Sequence, residues 1–227
     1  GIGIINYRGW GDSNGWHKPY FHREEIEELS NVNKLPIVFS FVCNNGDFGN
    51  DLSGTGNAKC FGEKLITAGS FSSPKGAVAM VGPSDLDTDT RFNNTLCGRV
   101  WDELIEGRIS ELAPLLHAGK QSVHTEFENL VVTGSGSTQN IAKFYHHIYS
   151  VLGDPSISIW LGEPNELTSS LEPNTEIMES FLSLMVSDEN GSPLQDVVGA
   201  LLDSNGDLIE EYQGPRSSQR LQQFCKN

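Results

Sequence analysis

Apolar and polar residues alternate in short blocks over the first 161 residues, and each block has the length of one strand or one helix. Runs of β-branched and aromatic side chains, typical of strands buried on both faces, occupy residues 1–7, 36–42, 76–82 and 157–161. Apolar positions at helical spacing occupy residues 21–29, 60–66, 93–105, 109–123 and 140–151. Strands that alternate with helices predict an α/β fold, in which helices cover both faces of a mostly parallel central sheet.

The composition changes after residue 162. Residues 163–178 are rich in Glu, Pro, Asn, Ser and Thr and predict a linker. Residues 179–213 contain strand-like runs and two Asn-Gly turns, and they predict a partial immunoglobulin-like β module, because such sandwiches have about seven strands and fewer are recognisable. Residues 214–227 predict a disordered tail. The acidic turns allow a structural calcium site or ordinary solvated turns, and the lack of an EF-hand-like pattern favours the second.

Charge and cysteine spacing narrow the function classes. The chain has 227 residues and a net charge of −15, which argues against nucleic acid or an anionic membrane as a partner. No apolar run reaches the roughly 18–20 residues that span a bilayer. The four cysteines show no Cys-x-x-Cys spacing, so we expect no metal site and no cofactor. The chain opens in a strand without a leader, which suggests a fragment or a processed product.

One cysteine stands where the pattern changes most sharply. Residues 36–42 are almost entirely apolar, whereas the Asn-Asn-Gly that follows Cys43 is a turn signal. Cys43 is therefore predicted at the carboxyl end of a central strand, where open α/β sheets bind ligands. A buried cysteine that acts as a small hydrophobe is the alternative. The change of polarity at this residue favours a nucleophile.

Several segments resemble the gingipain-like cysteine peptidases. The most specific is Phe-Val-Cys-Asn-Asn-Gly-Asp-Phe at residues 41–48, which resembles the nucleophile segment of that family. Residues 5–12, Ile-Asn-Tyr-Arg-Gly-Trp-Gly-Asp, followed by Trp16, resemble its Gly-His-Gly loop. Weaker similarities lie at residues 60–63, 76–79 and 152–156, and all these segments follow one another in the same order as in the family.

The resemblance implies a caspase-like sandwich over residues 1–162, followed by an immunoglobulin-like segment. It also implies secretion to the cell surface or the extracellular space, and hydrolysis of a polypeptide substrate through a Cys43 thioester. The catalytic unit of this family usually begins well before its histidine loop. The chain would then hold only the carboxyl-terminal share of that unit, and the missing N-terminal half-domain would be a partner.

The family's catalytic histidine is replaced by Trp10 in this sequence. An indole cannot accept a proton, so Trp10 cannot act as the base for a thiol. His17 follows seven positions later, and seven residues span up to ~23 Å when extended. We therefore consider His17 as a substitute base, with Trp10 as a wall of the cleft. An exposed loop histidine is an equal alternative, and His22 is a weaker candidate.

The resemblance also implies the oxyanion donors and the residues of the specificity pocket. The oxyanion would be bound by the backbone N–H groups of Gly11 and Cys43. Asp85 and Asp87 fall where the family lines its specificity pocket, and they could favour a basic side chain, although a solvated acidic loop is the better interpretation. Asp12 could orient a histidine or stabilise a turn, and we favour the turn. Two functions stay open: a cysteine peptidase, or a pseudo-peptidase that serves as a binding or structural module.

Overall fold

The computed structural model describes residues 2–49, 59–133, 137–162, 166–170, 185–195, 197–202 and 207–213. Contacts divide the chain into two compact units, Gly1–Leu161 and Gly162–Asn227. The strands described in the first unit are β1 (Ile4–Tyr7), β2 (Gly11–Asp12), β3 (Gly15–His17), β4 (Tyr20–His22), β5 (Ile37–Ser40), β6 (Gly69–Ser70), β7 (Ser73–Pro74), β8 (Ala79–Pro83), β9 (Val131–Thr133), β10 (Thr138–Asn140) and β11 (Tyr149–Gly153). The helices described there are α1 (Arg23–Glu28), α2 (Phe61–Thr67), α3 (Thr90–Ile105), α4 (Leu112–Phe127) and α5 (Ile141–Ile148).

A four-stranded sheet in the order β1-β5-β8-β11 forms the centre of the first unit. β1, β5 and β8 are parallel, and β11 is antiparallel to β8. Successive residues of β5 face opposite sides, so that Phe39 packs with Leu96 of α3 and Leu115 of α4, whereas Val38 packs with Phe61 of α2. The predicted α/β fold with a mostly parallel sheet between helices is confirmed.

The last strand of the sheet differs from the prediction. Helix α5 ends at Ile148, and β11 follows at once, although a helix was predicted to residue 151. Pairing with β8 over five residues makes this segment a strand, and the local spacing of apolar residues could not reveal that pairing. Residues 157–161, which were predicted as the final strand, lie outside the sheet. Within the described part of the chain, their one β-bridge joins Ser158 to Glu111. Backbone hydrogen bonds also attach this apolar run to the start of α4, where the Leu112 N–H donates to the Ile157 carbonyl at 3.0 Å.

The glycine-rich segment after β1 was predicted as a loop, but it forms the antiparallel sheet β2-β3-β4. Gly15 is required in its turn, because its φ of 143° and the closeness of the Phe21 carbonyl leave no room for a side chain. Tyr20–His22 pairs with β3, which is why α1 begins at Arg23 and not at Phe21.

The described residues of the second unit form two short antiparallel pairs. β12 (Thr168–Ser169) pairs with β13 (Val186–Ser187), and β14 (Val198–Leu202) pairs with β15 (Leu208–Gln213). β12 falls within residues 163–178, the predicted linker, most of which lies outside the described residues. The predicted tail at 214–227 also lies outside them, and the immunoglobulin-like arrangement stays a prediction. Among the described residues, none of the helices has the length and apolarity needed to cross a bilayer.

Candidate active site

Cys43 lies three residues beyond the end of β5, at the carboxyl end of that strand. Phe41 and Val42 are buried in the two apolar clusters, one on each face of the sheet. The Cys43 side chain is only partly buried and belongs to neither cluster. Its sulfur accepts a hydrogen bond from Thr88 Oγ1 at 3.4 Å. The thiol therefore lies at the rim of the sheet, outside the apolar core.

A tight turn follows the cysteine and directs the chain away from the sheet. Asn44 has a φ of 23°, on the left-handed side of the backbone map, which Asn tolerates better than most residues. The Asn44 N–H donates to the Asp85 carbonyl at 2.9 Å, and the Gly46 N–H donates to the Pro83 carbonyl at 2.8 Å. These bonds join the Cys43 segment to the end of the neighbouring strand β8.

The two asparagines after Cys43 bind the β1–β3 connection. Asn44 Nδ2 donates to Ser13 Oγ at 2.7 Å, and Asn45 Nδ2 donates to the Asp12 carbonyl at 2.5 Å. Both side chains are buried. The β2–β3 hairpin, at Asp12 and Ser13, is therefore fixed against the segment that contains the thiol.

A buried chain of hydrogen bonds continues from Asn45 into the core. Asn45 Oδ1 accepts the Ser40 hydroxyl at 2.5 Å, and Ser40 Oγ accepts the indole N–H of Trp16 at 2.9 Å. Sequence reasoning recognised the Asn-Asn pair as a turn signal and as part of the segment that resembles the family's nucleophile segment, and it did not predict this network. The polar Ser40 in an otherwise apolar strand was the one available signal.

Gly11 lies directly against the residue that precedes Cys43. A Cβ at Gly11 would be 3.1 Å from Val42 Cγ2 and 2.7 Å from the Gly15 carbonyl oxygen. A side chain at this position would therefore push β2 away from the cysteine segment. The proposed oxyanion donors, the backbone N–H groups of Gly11 and Cys43, belong to adjacent segments, and their role stays a prediction.

The β2–β3 hairpin has one buried face and one exposed face. Gly11 pairs with Trp16, and both are buried. The His17 N–H donates to the Trp10 carbonyl at 2.9 Å, so these two residues are opposite each other across the hairpin. Trp10 is 77% exposed and His17 is also exposed. Because side chains alternate along a strand and opposite residues share a face, Trp10 and His17 lie on the same, outer face.

The Asp12 carboxylate contacts both His17 on this outer face and the backbone of the β2–β3 turn. Asp12 Oδ2 is 3.2 Å from His17 Nε2, and Asp12 Oδ1 accepts the Asn14 N–H at 2.7 Å. The sequence offered two interpretations of Asp12, a histidine partner or a turn residue. The structure shows both contacts, one for each carboxylate oxygen.

The other histidines occupy positions in the scaffold. His22 is buried at the N-terminus of α1, where its side chain takes part in a capping box with Glu25, and its Nδ1 lies 3.2 Å from Asn14 Nδ2. His146 and His147 lie on the last turn of α5. These three histidines belong to the helices α1 and α5 or their caps.

The Asp85 loop touches the Cys43 segment through its main chain. The Asp85 carboxylate accepts the Asp87 N–H at 2.8 Å, which is the geometry of an Asx turn. Asp87 is exposed. These contacts fit the interpretation as an acidic turn, and the specificity-pocket role of both residues stays a prediction.

Arg8 is a further charged group near the site that sequence reasoning did not single out. Its Nη1 donates to the Phe41 carbonyl at 3.0 Å, and its Nη2 binds the Asn94 side chain. The Phe41 carbonyl also accepts a bond from Asn93 Nδ2 at 3.4 Å. Arg8 thus joins the ends of β1 and β5 to α3 and, together with Asn93, satisfies the Phe41 carbonyl just beyond the end of β5.

Unlike Cys43, the other described cysteines belong to the apolar core or pack against it. Cys60 is buried at the N-terminus of α2, and burial raises its pKa to about 11. Burial also raises the pKa of Cys97. Within the described ranges, no group of three or more His, Cys, Asp or Glu side chains has the geometry to hold a metal ion.

The first unit is thus an α/β domain whose sheet lies between two helical layers and whose Cys43 lies beyond the carboxyl end of a central strand. The sequence model described as Peptidase family C25 matches residues 1–160. The chain belongs to this family, and the resemblance inferred from its motifs is confirmed.

Curated relatives and solved structures agree with this assignment. The chain is 25% identical over 213 residues to Gingipain R2 of Porphyromonas gingivalis strain W83, a match that covers 92% of this chain and 26% of the relative. It is 24% identical over 213 residues to Gingipain R1 of Porphyromonas gingivalis, covering 92% of this chain and 19% of the relative. The chain thus spans about a quarter or less of the length of these relatives.

Two solved structures share the fold. The crystal structure of the Arg specific cysteine proteinase gingipain R matches with a TM-score of 0.75 and 18% identity, covering 100% of this chain and 47% of that chain. The complex of Porphyromonas gingivalis RgpB pro- and mature domains matches with a TM-score of 0.77 and 19% identity, covering 100% and 48%. At this identity the likeness concerns the fold.

Proposed function

We propose that this chain carries the nucleophile of a cysteine endopeptidase that acts on polypeptides outside the cell. Cys43 Sγ attacks the carbonyl carbon of the scissile bond, a thioester forms as the amine leaves, and water hydrolyses the thioester. The observation that carries this proposal is the position of Cys43: its thiol lies at the sheet rim, outside both apolar clusters and beside the Gly11 loop.

The proposed base is His17, in place of the histidine that the family carries at position 10. Its support is the hairpin register, because Trp10 and His17 are opposite each other and share the outer face. An imidazole at position 17 would then start about one strand spacing, roughly 5 Å, from the position that the family uses. Trp10 forms a wall of the cleft and supplies no proton-transfer group.

Transition-state stabilisation is assigned to main-chain groups. The backbone N–H groups of Gly11 and Cys43 would bind the oxyanion. Asp85 and Asp87 line the cleft on the β8 side and could select a basic side chain. The alternative function is a pseudo-peptidase in which Cys43 is an ordinary thiol, and the exposed indole of Trp10 is the observation that keeps it open.

The reactivity of Cys43 towards an alkylating agent tests the proposal. The full chain is treated with iodoacetamide between pH 5.5 and 8.5, and modification of each cysteine is quantified by peptide mass spectrometry. Between these two pH values an ordinary thiol loses about 500-fold of its thiolate, and hence of its rate. For Cys43 we expect a loss below about tenfold, because a neighbouring imidazolium stabilises the thiolate.

The same digest contains its own control. Cys60 is buried and its pKa is raised to about 11, so it should stay unmodified across the range. The substitution His17→Ala should return Cys43 to ordinary behaviour. A 500-fold loss for Cys43 in the unmodified chain would instead identify the pseudo-peptidase.

A further inference from the structure

The two oxygens of the Asp12 carboxylate contact different partners, and the second contact indicates a role for Asp12 beyond the turn. Oδ1 accepts the Asn14 N–H at 2.7 Å and closes the turn of the hairpin. Oδ2 lies 3.2 Å from Nε2 of His17. Each contact uses a different carboxylate oxygen, so the contact with His17 is distinct from the hydrogen bond that closes the turn.

The register of the hairpin explains how the second contact forms. Asp12 is paired with Gly15, and His17 is two residues further along the same strand as Gly15. Asp12 and His17 are therefore diagonal neighbours on one face, a separation that long or aromatic side chains can bridge. Because Gly15 has no side chain, the space opposite Asp12 is open to the imidazole.

We propose that Asp12 is a positioning residue for His17, an inference that rests on the proposed function. An ionised carboxylate only accepts hydrogen bonds, so His17 Nε2 must carry the proton in this contact. The neutral ring then keeps its lone pair on Nδ1, which is the atom directed away from Asp12. In the reaction Nδ1 takes the proton of the Cys43 thiol and the electron pair stays on the sulfur.

The negative charge of Asp12 would stabilise the imidazolium formed in this step, while the Nε2 proton stays on His17. The proton on Nδ1 is later donated to the leaving amine, which restores the neutral ring. Both side chains are partly exposed, 45% for Asp12 and 42% for His17. Solvent therefore screens the pair, and we expect a rate effect of about two- to fivefold.

The substitution Asp12→Asn separates the two contacts. An asparagine keeps the oxygen that accepts the Asn14 N–H, so the turn is preserved. Its other position is an NH₂ group, which donates and therefore favours the opposite tautomer of His17. Asp12→Ala removes both contacts and serves as the comparison for loss of the turn.

Two measurements on the full chain test the inference. The tautomer of His17 is determined by long-range ¹H–¹⁵N correlation at pH 7.5, and the rate of Cys43 alkylation is measured at pH 6. We expect Asp12→Asn to move the Nε2–H tautomer towards Nδ1–H and to slow alkylation about two- to fivefold, while the Asn14 amide resonance stays in place. A purely structural Asp12 predicts that Asp12→Asn behaves like the original chain and that only Asp12→Ala is impaired, which would overturn the inference.

His17→Ala distinguishes a failure of this inference from a failure of the proposed function. If His17→Ala leaves the Cys43 rate unchanged, His17 is not the base, and the positioning role of Asp12 is overturned with it even when the tautomer responds. If His17→Ala slows Cys43 but Asp12→Asn changes neither tautomer nor rate, the peptidase proposal stands and the inference about Asp12 is wrong.

Discussion

Removal of the Asn45 side chain should loosen the attachment between the Trp10 loop and the Cys43 segment. This side chain has no exposed surface and makes two hydrogen bonds of 2.5 Å, one to the Asp12 carbonyl and one from the Ser40 hydroxyl. Asn45→Ala breaks both bonds and leaves the Asp12 carbonyl and the Ser40 hydroxyl without these partners.

The cost can be estimated from these contacts. A buried hydrogen bond between neutral groups contributes about 1 kcal/mol net, and a buried group left unpaired costs about 1–3 kcal/mol. Because Ser40 still accepts the indole N–H of Trp16, the hydroxyl is only partly orphaned. We expect Asn45→Ala to lower the free energy of unfolding by about 2–4 kcal/mol.

Urea unfolding, followed by tryptophan fluorescence, measures this change, because Trp16 lies in the same network. Asn129→Ala is the matched control, since Asn129 is exposed and the same substitution there should change the free energy of unfolding by no more than about 0.5 kcal/mol. A loss below about 1 kcal/mol for Asn45→Ala, comparable with the control, would refute the reasoning that this network joins the two segments.

Three further predictions concern the site and its scaffold. Trp10→His restores the family's base, so in the His17→Ala background it should raise the alkylation rate of Cys43 at pH 6 at least tenfold over His17→Ala alone, whereas no gain would place position 10 away from the thiol. Glu103→Gln removes the buried negative charge that pairs with Arg99 and Arg108 and should lower the free energy of unfolding by about 1–3 kcal/mol in urea, which a change below about 0.5 kcal/mol would contradict. Burial lowers the pKa of His146, and the charges of four neighbours, Lys120, His117, His124 and His147, lower it further. The neutral imidazole is therefore favoured in the folded state, and the urea midpoint should fall as the pH drops below about 6.5. His146→Gln should weaken this pH dependence of the urea midpoint.

The position of the thiol could be predicted because it depends on local polarity. An apolar run that ends abruptly at Asn-Asn-Gly places Cys43 beyond a central strand, and strand β5 indeed ends three residues earlier. The helices were predicted for the same reason, since α3 and α4 bury one face at helical spacing. The fold class and the attachment of the Trp10 loop followed from these patterns and from the motif resemblance.

The strand β11 and the hairpin could not be predicted in this way. Residues 149–153 have apolar positions that fit either a helix or a strand, and pairing with β8, some 70 residues away, selects the strand. The glycines after β1 indicated only a loop. Whether such a segment forms paired strands depends on how it packs, and here Trp16 and Gly11 are buried against the sheet.

The sequence by itself determined the α/β class, the family and the cysteine at the strand end, because each depends on residue types within a short window. Only the tertiary structure decided which groups surround that cysteine. Asn45 reaches Asp12 across 33 positions, and Thr88 reaches the sulfur across 45. Hydrogen bonds and burial between residues so far apart depend on the packing of whole elements, and no local pattern encodes them.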